Sequence, residues 1–192
     1  MGSVEPAVFE ALNACQQDGL FAFVADSGEI SGNTEFAEAL DPLSNTIGNT
    51  IAAGLGSFSL KYTVRRNPVR PGGKQLGASW HVDNFKFNIH TAMLASDVLT
   101  PEFLTRQDGG ETDNRLKKAW RNIIAIDAIK NAGNDDIGTI PVDRRLYKAG
   151  LQVFRPKPYA LERLDGRIHR SPTNMTSEVI ARTSIRVIIV PT

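Results

Sequence analysis

The sequence predicts a mainly β fold with flanking helices, an α+β chain built as a β-sandwich or jelly roll. Three observations lead there. After residue 57 the chain carries about five or six apolar–polar alternations, separated by clusters of Pro, Gly and Asn. Ahead of residue 57, apolar residues recur at helical spacing. The chain closes on Thr183 to Val190, a β-branched run suited to a central strand. A chain of 192 residues buries a sizeable core without staples. We therefore expect one domain over 1–192, with 1–56 as a helical N-terminal support and 57–192 as a jelly-roll core.

The elements follow in order. Val8, Leu12 and Cys15 share a helical face over Pro6 to Gln17, with Pro6 suited to a first turn. Leu20 to Val24 reads as a short strand. Asn33 caps a helix running to Leu40, and Asn45 to Ala53 makes a second, ended by Gly54 and Gly56. Ser57 to Arg66 alternates, with Leu60, Tyr62 and Val64 on one face. Pro68, Pro71, Gly72 and Gly73 make a turn, and Ser79 to His81 a strand end. Phe85, Phe87, Ile89, Thr91 and Met93 alternate with Lys86, Asn88, His90 and Ala92. Thr105 to Asn114 is polar and contains Gly109-Gly110, which predicts a mobile loop serving as a lid at the pocket mouth. Arg115 to Arg121 favours helix, while Ile123 to Ile126 suits either state. Asn131 to Thr139 is a loop. Leu151 to Phe154 is a strand stopped by Pro156 and Pro158, and Tyr159 to Ile168 alternates around a bend at Asp165-Gly166. The segments 66–78, 105–114 and 131–145 are the loops expected to set specificity.

Composition narrows the function classes. Hydrophobic residues make up 41% and charged residues 22%, the balance of an ordinary globule. A net charge of +1 without a basic-aromatic stripe argues against a nucleic-acid partner. One cysteine, Cys15, excludes a scaffold built on internal disulfides. No apolar run approaches the roughly 20 residues of a membrane span, and the start has no basic-then-apolar signal pattern. The expectation is a cytoplasmic protein with a small-molecule substrate and no membrane partner.

The chain has three histidines, His81, His90 and His169. His81 opens His81-Val82-Asp83, and in extended backbone positions i and i+2 point the same way. One imidazole nitrogen and one carboxylate oxygen can then meet at a point. His169 ends a predicted strand far downstream. Two histidines and a carboxylate on one side of a metal leave open positions, the arrangement that suits Fe(II) and oxygen chemistry. A loop histidine bonded to its neighbour would give the same local residues. On the last strand Arg182, Ser184 and Arg186 share a face opposite Thr183, Ile185 and Val187. Such polar side chains are costly to bury unless a charged group meets them. A dicarboxylate would do so, clamped by Arg182 through two parallel bonds with Ser184 adding a third. A sheet face open to water is the plain alternative.

His81-x-Asp83, then His169, then Arg182-x-Ser184, in that order, resembles the iron(II)- and 2-oxoglutarate-dependent dioxygenases. The resemblance runs from about Ser57 to the C-terminus and rests on these five positions. It implies a double-stranded β-helix, the cupin-like jelly roll with helices on one sheet. It implies His81, Asp83 and His169 as ligands of Fe(II), with Arg182 and Ser184 on the far carboxylate of the co-substrate 2-oxoglutarate. Arg186 becomes a second co-substrate contact or a substrate anchor. Tyr62 lies on the strand that often supplies the family a hydroxyl to the co-substrate, and it also reads as a core tyrosine. Asn88 and His90 could line the pocket, and Trp80 and Phe85 would pack the ligands. The implied reaction couples O2 and oxidative decarboxylation of 2-oxoglutarate to hydroxylation of a substrate C–H, releasing succinate and CO2. Asp83 speaks against the halogenating branch, where a small residue stands at that position.

The chain is short for this family, so the pocket is expected to be simple or completed by a second subunit in a homodimer. A small, amino-acid-derived substrate is favoured. The competing expectations are a non-catalytic jelly-roll binding or assembly module, a cupin-type enzyme of other chemistry, and nucleic-acid demethylation.

Overall fold

A computed structural model describes residues 2–15, 19–26, 29–31, 34–50, 56–72, 79–83, 91–130 and 140–192. Within them the chain is α+β, with antiparallel strands in two sheets. The first half gives β1 (Gly2–Ser3), α1 (Pro6–Ala14), β2 (Gly19–Asp26), β3 (Glu29–Ser31), α2 (Thr34–Thr50), β4 (Phe58–Val69) and β5 (Thr91–Ser96). The second gives β6 (Glu102–Arg106), α3 (Asn114–Lys130), α4 (Ile140–Lys148), β7 (Leu151–Phe154), β8 (Ala160–Arg163), β9 (His169–Arg170) and β10 (Ile180–Pro191). One sheet has seven strands in the order β1-β8-β5-β10-β4-β2-β3, and the other three in the order β7-β6-β9. β10 sits mid-sheet as its β-branched run requires, paired with β4 from Ile180–Val69 to Pro191–Phe58 and with β5 on its other edge.

Three apolar cores set the layers. Alternation on β4 and β10 sends Leu60, Tyr62, Val64, Ile185, Val187 and Ile189 to one face, against Phe9 and Leu12 of α1 and Phe36, Leu40, Leu43 and Ile47 of α2. On the far side of the small sheet, Leu104, Leu151 and Ile168 pack with Trp80, Trp120 of α3 and Leu146 of α4. Between the sheets Ala92, Phe103 and Leu164 close a smaller cluster. The polar face of β10 therefore looks into the space between the sheets.

Several expectations need correction. Residues 1–56 are more than a helical support, because β1, β2 and β3 join the large sheet. The two helices expected over 33–53 are one helix, α2, with Pro42 inside it. An interior proline costs about 3 kcal/mol. Burying Phe36, Leu40, Leu43 and Ile47 returns roughly 1.5–3 kcal/mol each, so packing wins. The loops expected at 105–114 and 131–145 contain β6 residues and α4. The alternation at 85–93 lies outside the described residues up to residue 90, as do the proposed roles of Phe85, Asn88 and His90. Among the described residues, no helix is long and apolar enough to cross a membrane.

Candidate metal centre

His81 and His169 are distant in sequence and joined by backbone. Each donates its N–H to the other's carbonyl at 2.9 Å, a single antiparallel bridge that extends the small sheet beyond β9. Opposed residues in such a pair put their side chains on the same face, and the two rings meet at 54° with centroids 4.4 Å apart. Extended backbone from His81 brings Asp83 to that face, while Trp80 and Val82 turn into the core with α3 and α4.

The imidazoles are oriented by carbonyls. His81 Nδ1 lies 2.7 Å from the Ser79 carbonyl and His169 Nδ1 lies 3.0 Å from the Arg167 carbonyl. A carbonyl only accepts, so each Nδ1 donates its N–H and leaves Nε2 as the nitrogen able to ligate. Both Nε2 atoms stand 3.6 Å from an Asp83 carboxylate oxygen. The ligand atoms of all three residues lie within 4.8 Å of one another. Lone pairs facing a carboxylate repel unless a cation or proton lies between them, and the side of Asp83 Oδ2 that faces His169 Nε2 is met by no donor among the described residues, its ion pair being with Arg186 at 2.9 Å. Burial lowers the His169 pKa below its ordinary value and His81 adds to the fall, against the Arg167 carbonyl and Asp83. The pocket thus favours the neutral, ligating form. This donor set fits a divalent cation, and two nitrogens with one carboxylate fit Fe(II) among others.

The residues flanking the ligands are tied to α4. Asp143 accepts from Trp80 Nε1 at 3.2 Å and from Arg170 Nη1 and Nη2 at 3.2 and 2.9 Å. Arg170 also donates to Glu102 at 2.6 Å and stacks its guanidinium 4.2 Å from the centre of the Trp80 ring. The neighbours of His81 and of His169 are thereby held to each other, the kind of outer support metal ligands need. Sequence reading missed Asp143 and Arg170 in this part. The signal for α4 was there: Pro141 in a first turn, Asp143 early, Arg145 and Lys148 late, and Gly150 at φ 93 just beyond the end.

A cleft of about 270 Å³ opens from His81 and His169 toward the large sheet, lined there by Arg182, Ser184 and Arg186 of β10 and Thr63 and Arg65 of β4. Arg182 is almost fully buried and donates through Nε to the Leu99 carbonyl at 2.8 Å. Leu99 adopts φ 46, rare for a leucine. The bend is held by Asp97, which accepts from the Val98 and Thr183 N–H groups and from Asn13. Backbone strain is thus spent on aiming a carbonyl at Arg182. Burial pushes the Arg182 pKa down to about 10, with Asp97 opposing and the nearby Arg65 contributing. It remains a cation at neutral pH.

The structure brings together six of the seven site residues expected from sequence. Arg186 lines the cleft but is ion-paired, with Nη2 2.9 Å from Asp83 Oδ2. Tyr62 is not at the cleft. It is fully buried on the opposite face of β4, where its hydroxyl meets Ser44 of α2 at 2.7 Å. Alternation puts Thr63 and Arg65, one residue either side of Val64, on the cleft face instead, and Arg65 has no ion-pair partner among the described residues. The lid expected at 105–114 is a hydrogen-bonded turn. Arg106 N donates to Gly110 O and Gly109 N to Arg106 O, both at 2.9 Å, the Arg106 side chain pairs with Asp108, and Gln107 Nε2 reaches the Tyr147 carbonyl at 2.7 Å. None of its residues lines the cleft at the histidines. No protein-family model matches the chain, and no curated protein matches it.

Proposed function

We propose that this chain is an Fe(II)- and 2-oxoglutarate-dependent dioxygenase acting on a small molecule, with its two sheets as the halves of a double-stranded β-helix. The supporting observation is the convergence of His81 Nε2, His169 Nε2 and the Asp83 carboxylate at the mouth of an arginine-lined cleft. The overall change is R–H + O2 + 2-oxoglutarate → R–OH + succinate + CO2. Bound iron supplies the oxygen chemistry.

The chain's own residues bind and orient. His81, Asp83 and His169 hold the metal from one side, leaving its remaining positions open to co-substrate and O2. Arg182 and Ser184 take the far carboxylate of 2-oxoglutarate by charge-assisted hydrogen bonds, and Arg65 adds a second positive charge. Thr63 supplies a further hydroxyl in the role expected of Tyr62. Arg186 balances the Asp83 carboxylate.

Replacing His81, Asp83 or His169 by alanine, one at a time, removes a third of the ligand set. Each variant is expected to lose stoichiometric Fe(II) binding measured by anaerobic calorimetry, with circular dichroism unchanged. Undiminished stoichiometry in all three variants would refute the metal assignment.

A further inference from the structure

The triad borders a second cleft. A cleft of about 630 Å³ is lined by Trp80, His81, Val82 and Asp83 on one wall and by α3 on the other. The α3 wall carries Trp120, Arg121, Ile124 and Ala125, the spacing of one helix face. His81 lines both clefts, His169 only the first and Asp83 only the second, so the two spaces meet at the triad.

The chemistry of the second cleft differs from that of the first. Trp80, Val82, Trp120 and Ile124 offer aromatic and aliphatic surface. The Trp120 indole N–H is buried and has no acceptor among the described residues. A ligand oxygen would satisfy it. Arg121 stands at the cleft with no ion-pair partner among the described residues, while the acidic residue there, Asp83, is already paired with Arg186. The cleft therefore asks for an anion with an apolar body. Its volume falls within the range of small-molecule sites.

We infer that this tryptophan cleft binds the substrate to be oxidised, and that the substrate is a small organic acid with a ring or branched apolar body. The carbon lying beside His81 and Asp83 is the one presented for hydroxylation. The inference takes its chemistry from the function proposed above, but binding in the cleft is measurable without metal or co-substrate.

Trp80 and Trp120 are the two tryptophans of the chain, and both line this cleft, so intrinsic fluorescence reports its occupancy. The test titrates the full-length protein with 3-phenylpropionate, 3-phenylpropylamine and propionate. The expected result is a saturable change with 3-phenylpropionate, at least about tenfold tighter than with the amine or the ringless acid. Ala125→Phe, which fills the cleft, and Arg121→Glu, which reverses its charge, each weaken 3-phenylpropionate at least about tenfold. Both residues are exposed positions of α3, so the fold survives. Lys118→Glu, the same charge reversal at an exposed α3 position outside the cleft, changes nothing. Absence of binding, equal binding of acid and amine, or binding that survives both α3 variants overturns the inference. Failure of the triad to hold Fe(II) leaves these results unmoved, so the two ideas fail separately.

Discussion

On the proposed function, replacing Arg182 by lysine should separate co-substrate binding from metal binding. Arg182 is 4% exposed and commits Nε to the Leu99 carbonyl at 2.8 Å. A guanidinium can make that bond and still present a planar fork to a carboxylate. A lysine ammonium keeps the charge, but all its N–H groups radiate from one nitrogen. It cannot hold the Leu99 carbonyl and accept a two-pronged carboxylate together. The loss is at least one charge-assisted hydrogen bond, about 1.5–3 kcal/mol. At about 1.4 kcal/mol per decade this raises the half-saturating 2-oxoglutarate concentration roughly ten- to hundred-fold. Iron affinity should hold, because Arg182 is no ligand. Arg186→Lys should behave differently, since Arg186 is ion-paired with Asp83 and its loss disturbs the metal site as well. The assay is 2-oxoglutarate decarboxylation against its concentration at saturating Fe(II), beside anaerobic Fe(II) calorimetry. A wild-type half-saturation in Arg182→Lys would refute the reasoning that this guanidinium anchors the dicarboxylate.

Other perturbations give distinct outcomes. Arg65→Gln should raise the 2-oxoglutarate half-saturation about tenfold without lowering the thermal midpoint, because it also relieves repulsion on Arg182. Asp143→Asn weakens the tie between the Trp80 and Arg170 neighbours of the ligands; calorimetry should find Fe(II) affinity down roughly tenfold or more. Tyr62→Phe leaves the Ser44 hydroxyl without its partner in the core, costing about 1 kcal/mol in denaturant unfolding with no change in 2-oxoglutarate half-saturation. In the wild type, burial pushes Tyr62 up to about 12, against the Ser44 bond, while an unfolded tyrosine titrates near about 10. The folded chain keeps this proton longer. Its contribution is therefore whole below about pH 10 and falls as pH rises from about 10 to 12, by roughly 2–3 kcal/mol at most. Alkaline unfolding curves of wild type and Tyr62→Phe should diverge in that window.

Much of the site was legible because it lies on extended backbone. Two-residue spacing alone pairs His81 with Asp83 and aligns Arg182, Ser184 and Arg186, and the structure keeps both alignments. The same alternation already grouped Tyr62 with Leu60 and Val64, hence with the core and not with the cleft. Arg65 is readable by that same logic, two residues from Thr63 on the cleft face. The meeting of His81 with His169 was not readable, because it depends on a single backbone bridge between distant segments. Strand β6 hid because it is covered on both sides: Phe103 faces the other sheet while Leu104 faces the helices, which erases the period-2 signal. Helix α2 was cut in two by Pro42, since local propensity cannot see the core that holds the helix together.

The most direct test of the account is an anaerobic titration of the full-length protein with Fe(II) and then 2-oxoglutarate, followed by visible absorption. On the proposed function one metal serves both the triad and the arginine cleft, so the two additions should produce one weak charge-transfer band, saturating at one equivalent of each and absent from His169→Ala. Iron that binds without any new band on addition of 2-oxoglutarate, or a band that persists in His169→Ala, would contradict the assignment of metal and co-substrate to this site.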